Sequence, residues 1–177
     1  PNFNLFRPSD AVETAECWAI ALENTTTPSG MALSRQGVPT LRRDHTDENL
    51  SARGAYIMAD ADGGKRKATI LATGSEVSIA MEARELLQGE GIPTAVVSMP
   101  SWELFDTQDE KYKEEVLGKA VRVAVEAGIR QGWDKYILNN GGFVGMAGFG
   151  ASAPAPQLYK HFGITSENVA RVVKECL

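Results

Sequence analysis

"ATILATGSEVSIAMEARELLQGEGIPTAVVSMP", residues 68–100, sets the reading of the fold. Ala68–Gly74 is short, apolar and rich in β-branched residues, the form of a buried strand. From Ser75 the period changes. Val77, Ala80, Met81, Arg84 and Leu87 fall at i, i+3, i+4, i+7 and i+10, one face of a helix, and Gly91 ends it. "IPTAVVSMP" then returns as a second strand. Strand, helix, strand at this spacing is a unit of a parallel sheet, with the helix as the crossover.

The same alternation extends both ways. Upstream, "GAYIMAD" reads as a strand and "DGGK" as a turn, while residues 36–51, "QGVPTLRRDHTDENLS", carry no core-forming period and read as an irregular connection. Before it come "NFNLFRP" as a strand stopped by Pro8, and a helix capped by Ser9 or Asp10 that runs through Trp18 to about Leu22. Its expected apolar face is Val12, Ala15 and Ala19. "GMALS" is the next strand. Downstream lie a charged helix around "DEKYKEEVL", the strand "VRVAVEAG", a short helix near "GWDKYIL", the glycine-rich "NNGGFVGMAGFGASAPAP", and helices around "PQLYKHFG" and "TSENVARVVKEC". The expected architecture is α/β, three layers with a mostly parallel sheet. Residues 1–50 are the end of one α/β domain plus a linker, and residues 51–177 are one complete smaller domain.

Composition bounds the function. The chain has 177 residues, 43% of them hydrophobic, and a formal net charge of −5. That balance argues against a nucleic-acid partner, which calls for a basic face. No apolar run approaches the roughly 20 residues of a membrane span. Cys17 and Cys176 form no CxxC pair and lie almost the full chain apart, so a reducing, cytoplasmic setting is expected. The beginning has neither a signal peptide nor a Met, and suggests a piece of something longer.

Among candidate chemical groups, Arg35 is the sharpest. It follows the strand "GMALS" directly, and loops beyond the carboxyl ends of parallel strands are where α/β sheets place ligands. Its planar fork suits a phosphate, held by two hydrogen bonds. It equally suits a carboxylate at a domain boundary, and local sequence by itself favours that ion pair. "ATGSEV" is a generic helix N-terminus of the anion-binding kind. It carries no G-x-G-x-x-G or Gly-Lys-Ser/Thr, and Glu76 already supplies the negative charge, so a structural use is expected. The late glycines read as a strand with close backbone packing. His45 and His161 have no metal-ligand spacing around them. Glu126 ends a buried strand, either as an acid of raised pKa or, more economically, as a carboxylate bonded to nearby backbone amides. Trp18, Trp102 and Trp133 read as core or interface packing.

"RPSDAVETAECWAIALE" followed by "TPSGMALSRQGVP" resembles the transketolases, thiamine-diphosphate enzymes that move two-carbon ketol units. The resemblance continues through "GAYIMAD", "ILATGSEVSIAMEA", "VVSMPSWELFDTQDEKYKEEVL", "VAVEAG" and "FGASAPAPQLYKHFGIT". Pyruvate dehydrogenase β subunits and deoxyxylulose-phosphate synthase share the two-domain layout but match these motifs less well. The resemblance implies that residues 1–50 end the pyrimidine-binding domain and 51–177 form the C-terminal domain. It also implies that Arg35, in the "SRQ" motif, contacts the phosphate of a sugar-phosphate substrate, which reverses the local preference for an ion pair. For the full-length enzyme it implies thiamine diphosphate, a divalent metal (Mg or Ca) and a homodimer. The family's "GDG" cofactor motif, its cofactor-activating glutamate and its substrate-channel histidines have no counterpart here. This chain by itself is therefore expected to bind no cofactor and to be inactive. The alternative is a non-catalytic α/β assembly or regulatory module, or the equivalent part of a related thiamine-diphosphate enzyme.

Overall fold

The computed structural model describes residues 2–177. Two short parallel strands open the chain, β1 (Asn4–Phe6) and β2 (Ser29–Met31), joined by α1 (Ala11–Glu23). Asp10 caps α1, its side chain accepting from the Glu13 amide at 2.9 Å. The expected apolar face of α1 is not the buried one. Ala15 and Ala19 are exposed, Trp18 is 50% exposed, and the helix instead buries Glu13 and Cys17. Hydrophobic periodicity does not choose the inward face here, because this helix docks through a hydrogen-bonded carboxylate.

The remaining strands form one sheet in the order β3-β5-β4-β6-β7: β3 (Tyr56–Ala59), β4 (Ala68–Ala72), β5 (Thr94–Ser98), β6 (Val121–Ile129) and β7 (Gly142–Met146). All neighbours are parallel except the edge pair β3 and β5. The helices are α2 (Glu76–Gly89), α3 (Trp102–Asp106), α4 (Glu110–Leu117), α5 (Asp134–Ile137), α6 (Ala155–Phe162) and α7 (Ser166–Cys176). Alternation along the strands makes the layers. Ile70, Val96, Val123 and Val125 pack with Val77, Ala80 and Leu87 of α2 and Val169 and Val173 of α7. Leu71, Val97 and Ala124 face the other way, onto Phe105, Val116, Trp133 and Ile137 from α3, α4 and α5. Two short elements lie outside what the sequence pattern predicts: α3, five residues long, and a single 3-10 turn at Leu50–Arg53 that closes the connection. The glycine-rich stretch does hold a tightly packed strand. A Cβ on Gly141 would lie 1.9 Å from the Ile137 carbonyl oxygen and 2.4 Å from that of Arg122.

After β5 the chain crosses back to the other side of β4, so the strand order reverses between β4 and β6. That reversal opens a crevice at their carboxyl ends, the place where open α/β sheets bind ligands. The opening segment docks there. Gly74, just past β4, adopts φ +58° and donates its N–H to the Arg7 carbonyl at 2.9 Å, and Arg7 N–H donates to Pro100 O at 2.8 Å.

Candidate functional site

The crevice is a cleft of about 400 Å³ between the segment after β2 and the sheet's carboxyl end. Ser34, Arg35 and Gln36 form one wall, Ser75, Glu76 and Ala127 the floor, and Leu158, Tyr159 and Phe162 of α6 the other wall. Arg35 is exposed, and its guanidinium makes no ion pair among the described residues. The carboxylate partner that local sequence favoured is therefore not found among the described residues. Arg35 also borders a second groove beneath Ala151–Ala155.

Glu76 fills the N-terminus of α2, as expected for a structural turn. It is only 6% exposed, and one oxygen accepts from the Tyr159 hydroxyl at 2.5 Å and the Ser75 hydroxyl at 2.8 Å. Its other oxygen accepts from the Ala127 amide of β6 at 3.2 Å. Burial, and then the neighbouring Glu76 charge, push the Tyr159 phenol up to about 12, so it stays a donor at neutral pH.

Glu126 has different partners from the backbone amides expected. It forms an ion pair with Arg7 and accepts from the indole N–H of buried Trp133 at 2.6 Å. The Arg7 guanidinium lies 4.6 Å from the Trp102 ring centre, and Trp102 meets Trp133 edge-on at 4.8 Å. Arg7 thus neutralises Glu126 and joins the opening segment to the aromatic layer. Sequence reading passed over Arg7 because its partner lies 119 residues away.

Glu13 was also missed. Asp10-x-x-Glu13 matches a capping box, a signal that would have given it a local role. One oxygen does reach back, to the Ser9 amide at 2.7 Å. The other accepts from Tyr56 Oη at 2.7 Å and Ser98 Oγ at 2.6 Å. Complete burial raises its pKa above the ordinary carboxylate value, against the hydrogen bonds that lower it. The irregular connection is pinned as well. Asp10 accepts from the Leu41 and Arg42 amides, and Glu16 holds Arg42 and the Leu50 and Ser51 amides.

His45 pairs with Asp47 at the surface, and His161 meets Phe162 edge-on. Cys17 and Cys176 are free thiols. Among the described residues no three His, Cys, Asp or Glu side chains gather as a metal site, and no helix is long and apolar enough to cross a membrane.

The family model described as the transketolase-like TK C-terminal domain matches residues 54–165. A transketolase of Sinorhizobium medicae is 58% identical over the whole of this chain, which spans 26% of that relative. A solved transketolase from Leishmania mexicana is 44% identical with a TM-score of 0.89, over 99% of this chain and 25% of its own. One from Pichia stipitis, solved in complex with sedoheptulose-7-phosphate, is 39% identical with a TM-score of 0.88, again over 99% and 25%. The chain belongs to the transketolase family and corresponds to its C-terminal part, about a quarter of the full-length enzyme.

Proposed function

We propose that the full-length protein transfers a two-carbon ketol unit from a ketose phosphate to an aldose phosphate, and that Arg35 grips the substrate phosphate. The observation that carries this is Arg35 itself, an exposed guanidinium without a carboxylate partner among the described residues, on the wall of the crevice. A desolvated carboxylate would claim such a fork; an oxyanion ligand uses it in the same bidentate way. The sugar phosphate held by the Pichia stipitis relative supports the same substrate class.

The wider reading includes thiamine diphosphate, a divalent metal, a homodimer, a cytoplasmic setting and a place in pentose phosphate metabolism or the Calvin cycle. Residues 1–50 end the pyrimidine-binding domain and residues 51–177 form the C-terminal domain. The residues of this chain do not fit the cofactor's metal, since no acidic or imidazole cluster gathers among those described. In this reading the cofactor is held by parts of the enzyme outside this chain. What this chain supplies is recognition: Arg35 positions the charged end of the substrate, so binding energy remote from the reacting carbons is available to orient them.

The test is Arg35→Ala in the full-length enzyme. A charge-assisted bidentate contact contributes on the order of 1.5–3 kcal/mol, which predicts a loss of about 10- to 100-fold in kcat/KM on a sugar phosphate. The unphosphorylated sugar never makes the contact and should lose little. Equal losses on both would mean that Arg35 serves the domain boundary instead.

A further inference from the structure

The segment that carries Arg35 is tied down at two distant points. Ala32 N–H donates to the Phe6 carbonyl at 2.9 Å, and Leu41 N–H to Asp10 Oδ2 at 2.9 Å. Between them, residues 33–40 make one further hydrogen bond to the rest of the chain among the described residues. Gln36 Nε2 donates to Tyr159 Oη at 3.2 Å, across 123 positions of sequence. That bond ends on a rigid stack. The Tyr159 hydroxyl donates to Glu76 at 2.5 Å, and Glu76 is fixed in turn by Ser75 and by the Ala127 amide of β6. A protonated phenol is needed at the centre, because it must donate to the carboxylate while accepting from the amide.

We propose that Tyr159, through Gln36, is a positioning residue for substrate phosphate, carrying the rigidity of the C-terminal sheet to the backbone next to Arg35. The inference rests on Arg35 being the phosphate ligand, and adds a residue on α6 that itself touches neither the phosphate nor the reacting carbons. Arginine is a long side chain whose ordering costs entropy on binding. Fixing its backbone beforehand lowers that cost, and the benefit falls only on substrates that use the guanidinium. Glu76 then has a use beyond completing a helix end: it orients the phenol so that the lone pairs of its oxygen face Gln36.

The experiment compares Tyr159→Phe, Gln36→Leu and the double variant in the full-length enzyme, on sedoheptulose 7-phosphate and on unphosphorylated sedoheptulose. Each single change should raise KM for the phosphorylated ketose about 3- to 10-fold, the scale of one neutral hydrogen bond, with kcat within about 2-fold. The unphosphorylated ketose should be unaffected. The double variant should be no worse than the worse single one, since both changes remove the same bond. No change in KM, equal losses on both sugars, or losses that multiply in the double variant would each overturn the inference. Arg35→Ala in the same series separates the two readings. If it alone shows the phosphate-selective loss, Tyr159 has no positioning role while Arg35 keeps its own. If Arg35→Ala loses equally on both sugars, the phosphate reading falls and this inference with it.

Discussion

Glu13 accepts a hydrogen bond from Ser98 Oγ at 2.6 Å, tying the third residue of α1 to the end of β5, 85 positions away. With Tyr56 on the same oxygen, this buried carboxylate joins the opening segment to the five-stranded sheet, as the Arg7–Glu126 pair does further along. Its folded pKa is raised above 4.5 by burial, so the proton binds more tightly in the folded state. The stability this group contributes is full below pH 4.5 and is lost as pH rises through its folded value. Glu13→Gln does not titrate. The wild-type advantage over this variant should therefore fall with rising pH, by up to about 1.4 kcal/mol per pH unit. Chemical denaturation of both proteins from pH 4 upward measures it. A difference that is flat or grows with pH would mean that Glu13 is ionised in the fold.

Arg35→Lys separates charge from geometry. An ammonium keeps the positive charge near the phosphate but loses the planar fork. On a sugar phosphate its kcat/KM should lie between those of Arg35→Ala and the wild type. Full recovery would reduce the contact to a point charge.

Within the connection 36–51, trypsin should cut after Arg43 before Arg42. Arg43 is exposed, whereas the Arg42 side chain is 10% exposed and paired with Glu16 at 2.5 Å. Arg53 should be spared too, since it bonds to Gln108 and stacks 3.3 Å from the centre of the Tyr112 ring. Glu16→Gln should bring cleavage at Arg42 forward by loosening that pair. Early peptides ending at Arg42 or Arg53 in the wild type, read by mass spectrometry, would contradict the clamp.

Two glycines of one stretch should respond in opposite ways to alanine. At Gly141 the new methyl meets backbone oxygens of Ile137 and Arg122, neither of which can turn aside, so Gly141→Ala should cost about 1–3 kcal/mol or more. At Gly148 nothing lies within 4 Å, and Gly148→Ala should stay within about 0.5 kcal/mol. Thermal melts of the two variants decide it; similar shifts would mean that β7 is less closely packed than described.

What the sequence by itself determined is local and periodic. Residues 68–100 carry their strand, helix and strand in the switch from short apolar runs rich in β-branched residues to period 3.6, and the structure places Ala68–Ala72, Glu76–Gly89 and Thr94–Ser98 accordingly. The cap at Asp10 and the stop at Gly91, with φ +74°, are likewise set within a few residues. Periodicity failed at α1, where a buried carboxylate and not an apolar stripe chooses the inward face. The expectation of backbone partners for Glu126 failed for a related reason: Arg7 lies 119 positions away, and only the turn after β6 brings the Trp133 indole, seven residues on, back to the carboxylate. The Arg35 motif was visible, but whether a carboxylate met it depended on which loops converge at the strand reversal. Tyr159 was a helix aromatic until folding set it between Gln36 and Glu76. Hydrogen bonds between groups 83 to 123 positions apart leave no period in the chain. Only the reversal between β4 and β6, which brings the ends of distant elements to one crevice, decides which polar groups are buried together and must satisfy one another.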